Sequence, residues 1–383
     1  MAPTPQNPDP PDPPVANRDA AWMARALALA RRAEGRTSPN PLVGAVVVKG
    51  GRAVGSGYHK GPGRPHAEVE ALEAAGARAR GAVLYVTLEP CTHTDKRTPP
   101  CAPKVVAAGL ARVVVGMADP NPKVAGAGIR ALKAAGVPTE AGCLEGACRT
   151  LNAPYVRAMT TGLPWVTLKV AETLDGKVAT ASGASRWITG EAARRHGHGR
   201  RARSDAIVVG VGTVLADDPT LTCRLVRGRD PVRVVVDARL ETPPEARVLT
   251  APSPAPTILG TLAGADPARR ARLERAGARV LELPGRDGRV DLEALLKALA
   301  AEGRQRVLCE GGPRLAAELL RGGLVNRVAF YLAPRILGGD DARGSVGGAS
   351  PASLSGALTL GPLRVRRLGP DVLIEADVNP GGA

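Results

Sequence analysis

The sequence predicts a two-domain α/β protein, and three observations lead there. The chain has 383 residues, which at roughly 150 per domain is enough for two or three cores. Strand-like apolar runs alternate with helix-like segments over about residues 18–145 and again over about 162–378, an order that implies layered units with largely parallel sheets. No repeat relates the two halves, so they are different domains. The expected partition is a disordered proline-rich tail at 1–17, a first domain at 18–148, a connector at 149–162 and a second domain at 163–378.

The elements follow in order. "DAAWMARALALARRAEG" has apolar residues at helical spacing, with Asp19 expected as its cap and Gly35 as its stop. "NPLVGAVVVKGGRAVGSGYH" reads as two short strands joined at Gly50-Gly51. "HAEVEALEAAG" is a helix closed by Gly76. "GAVLYVTLEP" is a buried strand, "TPPCAPKVVAAGL" a loop entering a helix, and "ARVVVGMADPNP" a strand ending in a polar turn. "CLEGACRTLNAPYVRAMTTGLP" is a helix followed by a connector. In the second half, strands are expected in "PWVTLKVAETLDG", "DAIVVGVGTVL", "PVRVVVDARL", "APTILGTL", "GARVLELPG", "RVLCEGG" and "RVAFYLAPRILGG". Helices are expected between them near 190–203, 267–276, 291–302 and 313–322.

Composition narrows the function. The formal charge is +16, with Arg far outnumbering Lys. This is compatible with solvated arginine-rich faces or with an anionic partner, such as a phosphorylated substrate or RNA. Aromatic residues are only 2% of the chain, which argues against base-stacking platforms for nucleic acid. No apolar run approaches a membrane span, and the N-terminus lacks the basic and apolar regions of a secretory signal. Six cysteines without an export signal point to a reducing cytoplasm, where paired cysteines are more often ligands than disulfides.

The chemistry concentrates in two short stretches. "PHAEVEAL" places His66 and Glu68 on the first turn of a helix, and "EPCTHTDKRTPPC" places Cys91 and Cys101 behind prolines. His66, Cys91 and Cys101 supply three donors of the kind zinc takes and leave a fourth position for water. Glu68 stands beside that water as the proton carrier. The pattern H-x-E followed by P-C belongs to zinc nucleobase deaminases, where metal-activated water attacks the amino-bearing ring carbon and the glutamate passes a proton to departing ammonia. Cys101 precedes a helix, and a helix N-terminus favours its thiolate. His59 and His93 are rival third ligands, but neither has a glutamate two residues on. Cys143 and Cys148 read as ordinary buried thiols.

Nine residues separate Cys91 from Cys101, where most such deaminases have two. The long "PCTHTDKRTPPC" resembles the PCSHxGRTPPC stretch of the deaminase domain of riboflavin biosynthesis. "PNPLVGAVVV" and "ADPNPKVAGAG" are similar to that family's two other motifs. The loop departs from the pattern by one extra residue and by Thr92 in place of serine. The resemblance implies that Asn40, His59, His93, Arg97, Asp119 and Asn121 surround the pyrimidine and its ribose phosphate. Asn40, His93 and Arg97 are the expected substrate contacts.

The second half continues the resemblance. "RVLCEGGPRLAAELL" is a strand ending at Glu310, a Gly-Gly-Pro turn and a helix, an arrangement that lets backbone N–H groups approach a pyrophosphate. Gly210-x-Gly212 follows a strand but lacks the third glycine of a dinucleotide fingerprint. Together with "LKVAETLDGKVATASGASRWIT" and "GVGTVLADDPTLTCR", these stretches resemble the reductase domain of the same riboflavin enzyme family. The resemblance covers roughly residues 18–375. It implies a cytidine-deaminase-like α/β/α layered first domain and a dihydrofolate-reductase-like α/β second domain that uses NADPH.

By motif, Ala171, Trp187, Thr213, Asp217 and Gly312 would contact NADPH. Ser185, Arg201, Leu221, Arg224 and Glu310 would contact substrate. Planar arginines suit a phosphorylated sugar. Lys169 and Asp175 fall in the same motifs without a separate role. The expected activity is bifunctional. Zinc-dependent deamination of 2,5-diamino-6-(ribosylamino)-4(3H)-pyrimidinone 5′-phosphate is followed by NADPH-dependent reduction of its ribosyl group to ribityl. The expected protein is a homo-oligomer that binds neither nucleic acid nor membrane. Two competing readings are an RNA or nucleobase deaminase with an appended reductase-like domain, drawn by the charge, and a metal-stabilised binding protein without turnover.

Overall fold

The computed structural model describes residues 15–92, 99–122 and 124–378. The chain divides into two compact units, one ending at Thr160 and one beginning at Thr161.

The first unit is built in the order α1 (Val15–Arg31), β1 (Gly44–Lys49), β2 (Arg52–Tyr58), α2 (Ala67–Ala75), β3 (Val83–Leu88), α3 (Cys101–Ala107), β4 (Arg112–Met117), α4 (Ala127–Ala134), β5 (Thr139–Ala141), α5 (Glu145–Leu151) and α6 (Ala153–Thr161). Its sheet runs β2-β1-β3-β4-β5. The sheet is less parallel than the alternation suggests: β1 pairs antiparallel with both β2 and β3, while β3–β4 and β4–β5 are parallel. The cause is the Gly50-Gly51 turn, where both residues adopt positive φ, 56° and 69°, and fold β2 back as a hairpin. Helices cover both faces, which is why β1 is buried through Val48 as a continuous apolar run. A Cβ on Gly44 would lie 2.0 Å from the Ala26 carbonyl of α1, and one on Gly57 would lie 2.5 Å from Glu70 Cβ of α2. Both helices therefore press directly on strand backbone.

Two expectations need correction here. The first helix begins at Val15, inside the stretch expected as tail, so Asp19 is not its cap. Asp19 is buried instead, and its Oδ1 accepts from Tyr85 Oη at 2.6 Å and Arg112 Nη2 at 2.6 Å. A charge-assisted buried pairing outweighs the single backbone bond a cap would make. Residues 149–160, expected as a connector, are helical within α5 and α6, and Asn152 ties them down by bonding both the N–H and the carbonyl of Leu42. Residues 1–14 of the expected tail lie outside the described residues.

The second unit runs β6 (Trp165–Thr173), β7 (Lys177–Ala179), α7 (Glu191–Arg203), β8 (Ala206–Gly210), α8 (Val211–Asp217), β9 (Val232–Val236), α9 (Arg247–Thr250), β10 (Thr257–Leu262), α10 (Pro267–Arg275), β11 (Ala278–Leu283), β12 (Gly285–Arg286), β13 (Arg289–Val290), α11 (Leu292–Ala301), β14 (Arg306–Cys309), α12 (Pro313–Arg321), β15 (Arg327–Ala333), β16 (Arg343–Gly344), β17 (Arg364–Leu368) and β18 (Asp371–Asp377). Its main sheet has nine strands in the order β11-β10-β9-β8-β14-β6-β15-β18-β17. It is parallel from β11 to β15, and β18 and β17 add antiparallel at one edge. β8 and β14 stand side by side in the middle of the sheet. Residues just past their carboxyl ends are where ligands of such sheets bind.

Candidate functional site

In the first unit, three elements deliver the metal donors. His66 is the extended residue that caps α2, at φ −76° and ψ 162°. Cys91 follows the end of β3, and Cys101 is the first residue of α3, whose cap is Pro100. His66 Nδ1 lies 3.1 Å from Cys101 Sγ and 3.5 Å from Cys91 Sγ. All three ligand atoms lie within 4.8 Å of one another. Tetrahedral zinc, with bonds of about 2.0 Å to nitrogen and about 2.3 Å to sulfur, sets such donors roughly 3.5 Å apart. The donor set and its spacing therefore fit zinc with a fourth position left open.

Glu68 lies in the first turn of α2 and is buried. Burial, followed by negative charge on the Cys91 sulfur, pushes its carboxyl up to about 7. A carboxyl near neutrality suits a group that must both take and give a proton.

The cysteines are locked from behind. Both the Cys101 N–H and the Ala102 N–H donate to the Cys91 carbonyl, at 3.1 Å and 3.2 Å. The Cys101 N–H also reaches Cys91 Sγ at 3.4 Å. Glu89, two residues before Cys91, was not singled out by the sequence. Its buried carboxylate accepts the N–H groups of Asp119, Gly126 and Ile129 at 2.9, 2.7 and 3.3 Å. α4 is drawn so close that a Cβ on Gly128 would lie 1.9 Å from the Pro90 carbonyl.

Asn40 reaches this cluster through His59. Asn40 Nδ2 lies 3.0 Å from His59 Nε2, and His59 Nδ1 donates to the Pro65 carbonyl at 3.2 Å. The His59 ring meets the His66 ring edge-on at 5.2 Å. Asp119 Oδ1 accepts from the Asn121 N–H and from Tyr155 Oη, both at 2.9 Å, which is the turn chemistry expected of an Asx residue beside proline. His93 and Arg97 lie outside the described residues.

The second unit holds a cavity of about 1490 Å³ lined by Ala171, Ser185, Trp187, Arg201, Thr213 and Asp217, with Leu221, Arg224, Glu310 and Gly312 completing the set expected from the motifs. The sequence carries these residues on six separate stretches, and the fold brings every one of them to a single space. β8 and β14 deliver Gly210 and Glu310 at their ends, and α12 begins at Pro313 behind Gly312. A Cβ on Gly312 would lie 3.7 Å from Thr213 Oγ1, so these two expected NADPH contacts are neighbours.

Charge in this cavity is arranged around Glu310. Arg201 grips it through Nε at 2.8 Å and Nη2 at 2.9 Å, while Lys169 Nζ stands 3.7 Å away. Burial alone would raise the Glu310 carboxyl, but Arg201 and Lys169 hold it down at about 2. Ser185 Oγ donates to Asp217 at 2.9 Å, and Arg224 Nη1 donates to Thr220 Oγ1 at 3.1 Å. Trp187 is 54% exposed with the Arg194 guanidinium 4.6 Å over its ring. Asp175 does not line this cavity. It accepts the Leu337 and Gly338 N–H groups, which holds a turn in place. Among the residues that sequence reasoning passed over are Arg194, His198 and Tyr331, which line the same cavity. Arg194 and His198 signal only through their spacing along "EAARRHGHGRR", which also fits a solvated face, and Tyr331 reads simply as one residue of the apolar strand "RVAFYLA".

Fold and sites define a zinc-type nucleobase deaminase joined to a reductase in one chain. Residues 16–117 match the cytidine and deoxycytidylate deaminase zinc-binding region, and residues 164–374 match the RibD C-terminal domain. A riboflavin biosynthesis protein RibD from Bacillus amyloliquefaciens is 44% identical over 356 residues, covering 93% of this chain and 95% of that one. Among solved structures, Acinetobacter baumannii RibD matches with a TM-score of 0.86 at 39% identity, covering 95% of this chain and 99% of that one. A Thermotoga maritima diaminohydroxyphosphoribosylaminopyrimidine deaminase/5-amino-6-(5-phosphoribosylamino)uracil reductase matches with a TM-score of 0.82 at 34% identity, covering 96% and 100%. The chain belongs to the RibD family, the bifunctional deaminase and reductase of riboflavin biosynthesis. Its first unit is cytidine-deaminase-like and its cofactors are zinc and NADPH.

Proposed function

We propose that His66, Cys91 and Cys101 hold the zinc and that Glu68 is the proton carrier of the deaminase. The substrate on this reading is 2,5-diamino-6-(ribosylamino)-4(3H)-pyrimidinone 5′-phosphate. Bound at the three donors, zinc supplies the Lewis acidity that makes water a nucleophile at neutral pH. Glu68 takes a proton from the attacking water and delivers it to the departing amine. Asn40 is fixed by His59 to meet the edge of the pyrimidine, and Glu89 keeps Cys91 in register. The observation that carries the reading is the meeting of three donors at tetrahedral spacing with Glu68 in the same helical turn.

The cavity of the second unit takes the deaminated product with its sugar opened to the imine. Ala171, Trp187, Thr213, Asp217 and Gly312 would hold NADPH, which would supply hydride chemistry at C1′ while the imine nitrogen takes up a proton. Arg201 already commits three N–H donors, two to Glu310 and one to the Thr222 carbonyl. It therefore aims Glu310 at the sugar, and Arg224 bears the phosphate. Most of the rate comes from positioning the two carbons and excluding water.

The test is incubation of zinc-loaded protein with the diaminopyrimidine phosphate, with and without NADPH, following ammonia and NADPH separately. Ammonia is expected without NADPH, and NADPH oxidation only after deamination. NADPH oxidation that runs ahead of ammonia release would reverse the proposed order, and absence of ammonia release would sink the deaminase reading.

Two finer points belong to the same reading. A cytoplasmic location is supported by the absence of any disulfide among the described residues, and no helix there is long and apolar enough to cross a membrane. A homo-oligomer is supported by β17, the last strand of its sheet, where Val365 is 65% exposed and nearby Leu363 60%, since an uncovered strand edge offers unpaired backbone groups to another chain. Light scattering on the purified protein tests it, and a monomer at micromolar concentration would refute it.

A further inference from the structure

One face of α7 runs along the wall of the second unit's cavity, where Arg194, His198 and Arg201 follow at four- and three-residue spacing. At one end of this row Arg194 lies over the Trp187 ring. At the other, Arg201 holds Glu310. His198 therefore stands between the proposed cofactor wall and the carboxylate aimed at the sugar, which is where the two reacting carbons must meet. It is 5% exposed, and its Nδ1 is buried with no hydrogen-bond partner among the described residues. A buried ring nitrogen left unpaired is uncommon and marks a place that something else completes. Burial, then the positive charge of Arg201 and Arg224, depresses the imidazole to about 4. The ring is neutral at pH 7 and carries one N–H and one acceptor nitrogen. Phosphate in this cavity has arginines to go to. A neutral ring among cations matches an uncharged group that both donates and accepts, which is a sugar hydroxyl.

We propose that His198 contacts the ribose-derived chain of the reductase substrate, pairing one of its hydroxyls and so holding C1′ between the cofactor wall and Glu310. This rests on the reading of the cavity given above. It is tested by steady-state kinetics on full-length His198→Ala, His198→Gln and Arg224→Ala, varying the deaminated ribosylaminopyrimidine phosphate and NADPH separately. NADPH affinity by tryptophan fluorescence and a thermal melt accompany each variant. His198→Ala is expected to lower kcat/KM for the pyrimidine about tenfold, the loss of one hydrogen bond, with NADPH affinity unchanged and glutamine restoring part of the loss. Wild-type kcat/KM in His198→Ala alongside an impaired Arg224→Ala overturns the role of His198 and leaves the cavity reading standing. Wild-type values in both variants overturn the cavity reading as well. A loss that tracks equal losses of NADPH affinity and melting temperature makes His198 a packing residue and overturns the proposal.

Discussion

Arg201 and Glu310 face each other through two parallel hydrogen bonds, Nε to Oε1 at 2.8 Å and Nη2 to Oε2 at 2.9 Å. The fork is planar and largely buried, and lysine cannot reproduce it. Arg201→Lys keeps the charge but leaves one carboxylate oxygen without its partner. Losing one hydrogen bond to a buried charged group costs about 1.5–3 kcal/mol, so a melt should show the second unit destabilised and NADPH oxidation should fall steeply. An unchanged melt and rate would remove Glu310 from the centre of this site.

Glu68→Gln keeps the size of the side chain and removes the carboxyl that can take up and release a proton. Ammonia release should drop by about 10²- to 10⁴-fold. Zinc content by atomic absorption should stay at the wild-type level, because Glu68 is not among the three converging donors. Retained turnover would favour a site that only stabilises structure.

Zinc removal separates the two activities. A strong chelator, or Cys101→Ser, should abolish ammonia release, whereas oxidation of NADPH by the already deaminated substrate should continue. Loss of both activities together would contradict the assignment of separate sites to separate units.

Gly128→Ala reaches the metal from behind. The added Cβ would meet the Pro90 carbonyl at 1.9 Å, and overpacking against backbone costs about 1–3 kcal/mol. The next residue along the chain is Cys91. The expected result is a lower melting temperature together with weaker zinc retention during dialysis against a mild chelator.

Acid should loosen the second unit before extreme pH is reached. Burial, then Arg200, Arg366 and Arg203, lowers His196 to about 4 against the opposing Glu375. Burial, then Arg201, Arg224 and Lys169, does the same to His198 against Glu310. Both folded values lie below the ordinary 6.5, so the unfolded chain binds more protons in between. The stability these rings contribute is whole above pH 6.5 and is lost as pH falls towards 4. Denaturant melts across that range should show the midpoint of the second unit falling, and less so in a His196→Gln variant.

The convergence of His66, Cys91 and Cys101 was legible because each sits at a local signal: a proline, a strand end or a helix start. The strands and helices between them were legible for the same reason. The reductase residues could be named only through motif resemblance, since no local rule brings Ser185 to Asp217 or Arg201 to Glu310. Glu89 was invisible because its three partners lie 30 to 40 residues on, and a carboxylate before Pro-Cys reads as surface. Asp19 was misread because a residue that can cap a helix looks the same in sequence as one that anchors a tyrosine and an arginine. The final hairpin of β17 and β18 gave no signal, because β17 presents four exposed residues in a row, three of them arginines.

The paired bonds from the Cys101 and Ala102 N–H groups to the Cys91 carbonyl tie the intervening segment off at its root. Its length is thereby uncoupled from how the ion is held. Going from nine to ten residues in a loop whose ends are already joined changes the closure entropy by only about 0.1 kcal/mol. An insertion between the two cysteines is thus expected to leave the spacing of His66, Cys91 and Cys101 as it stands.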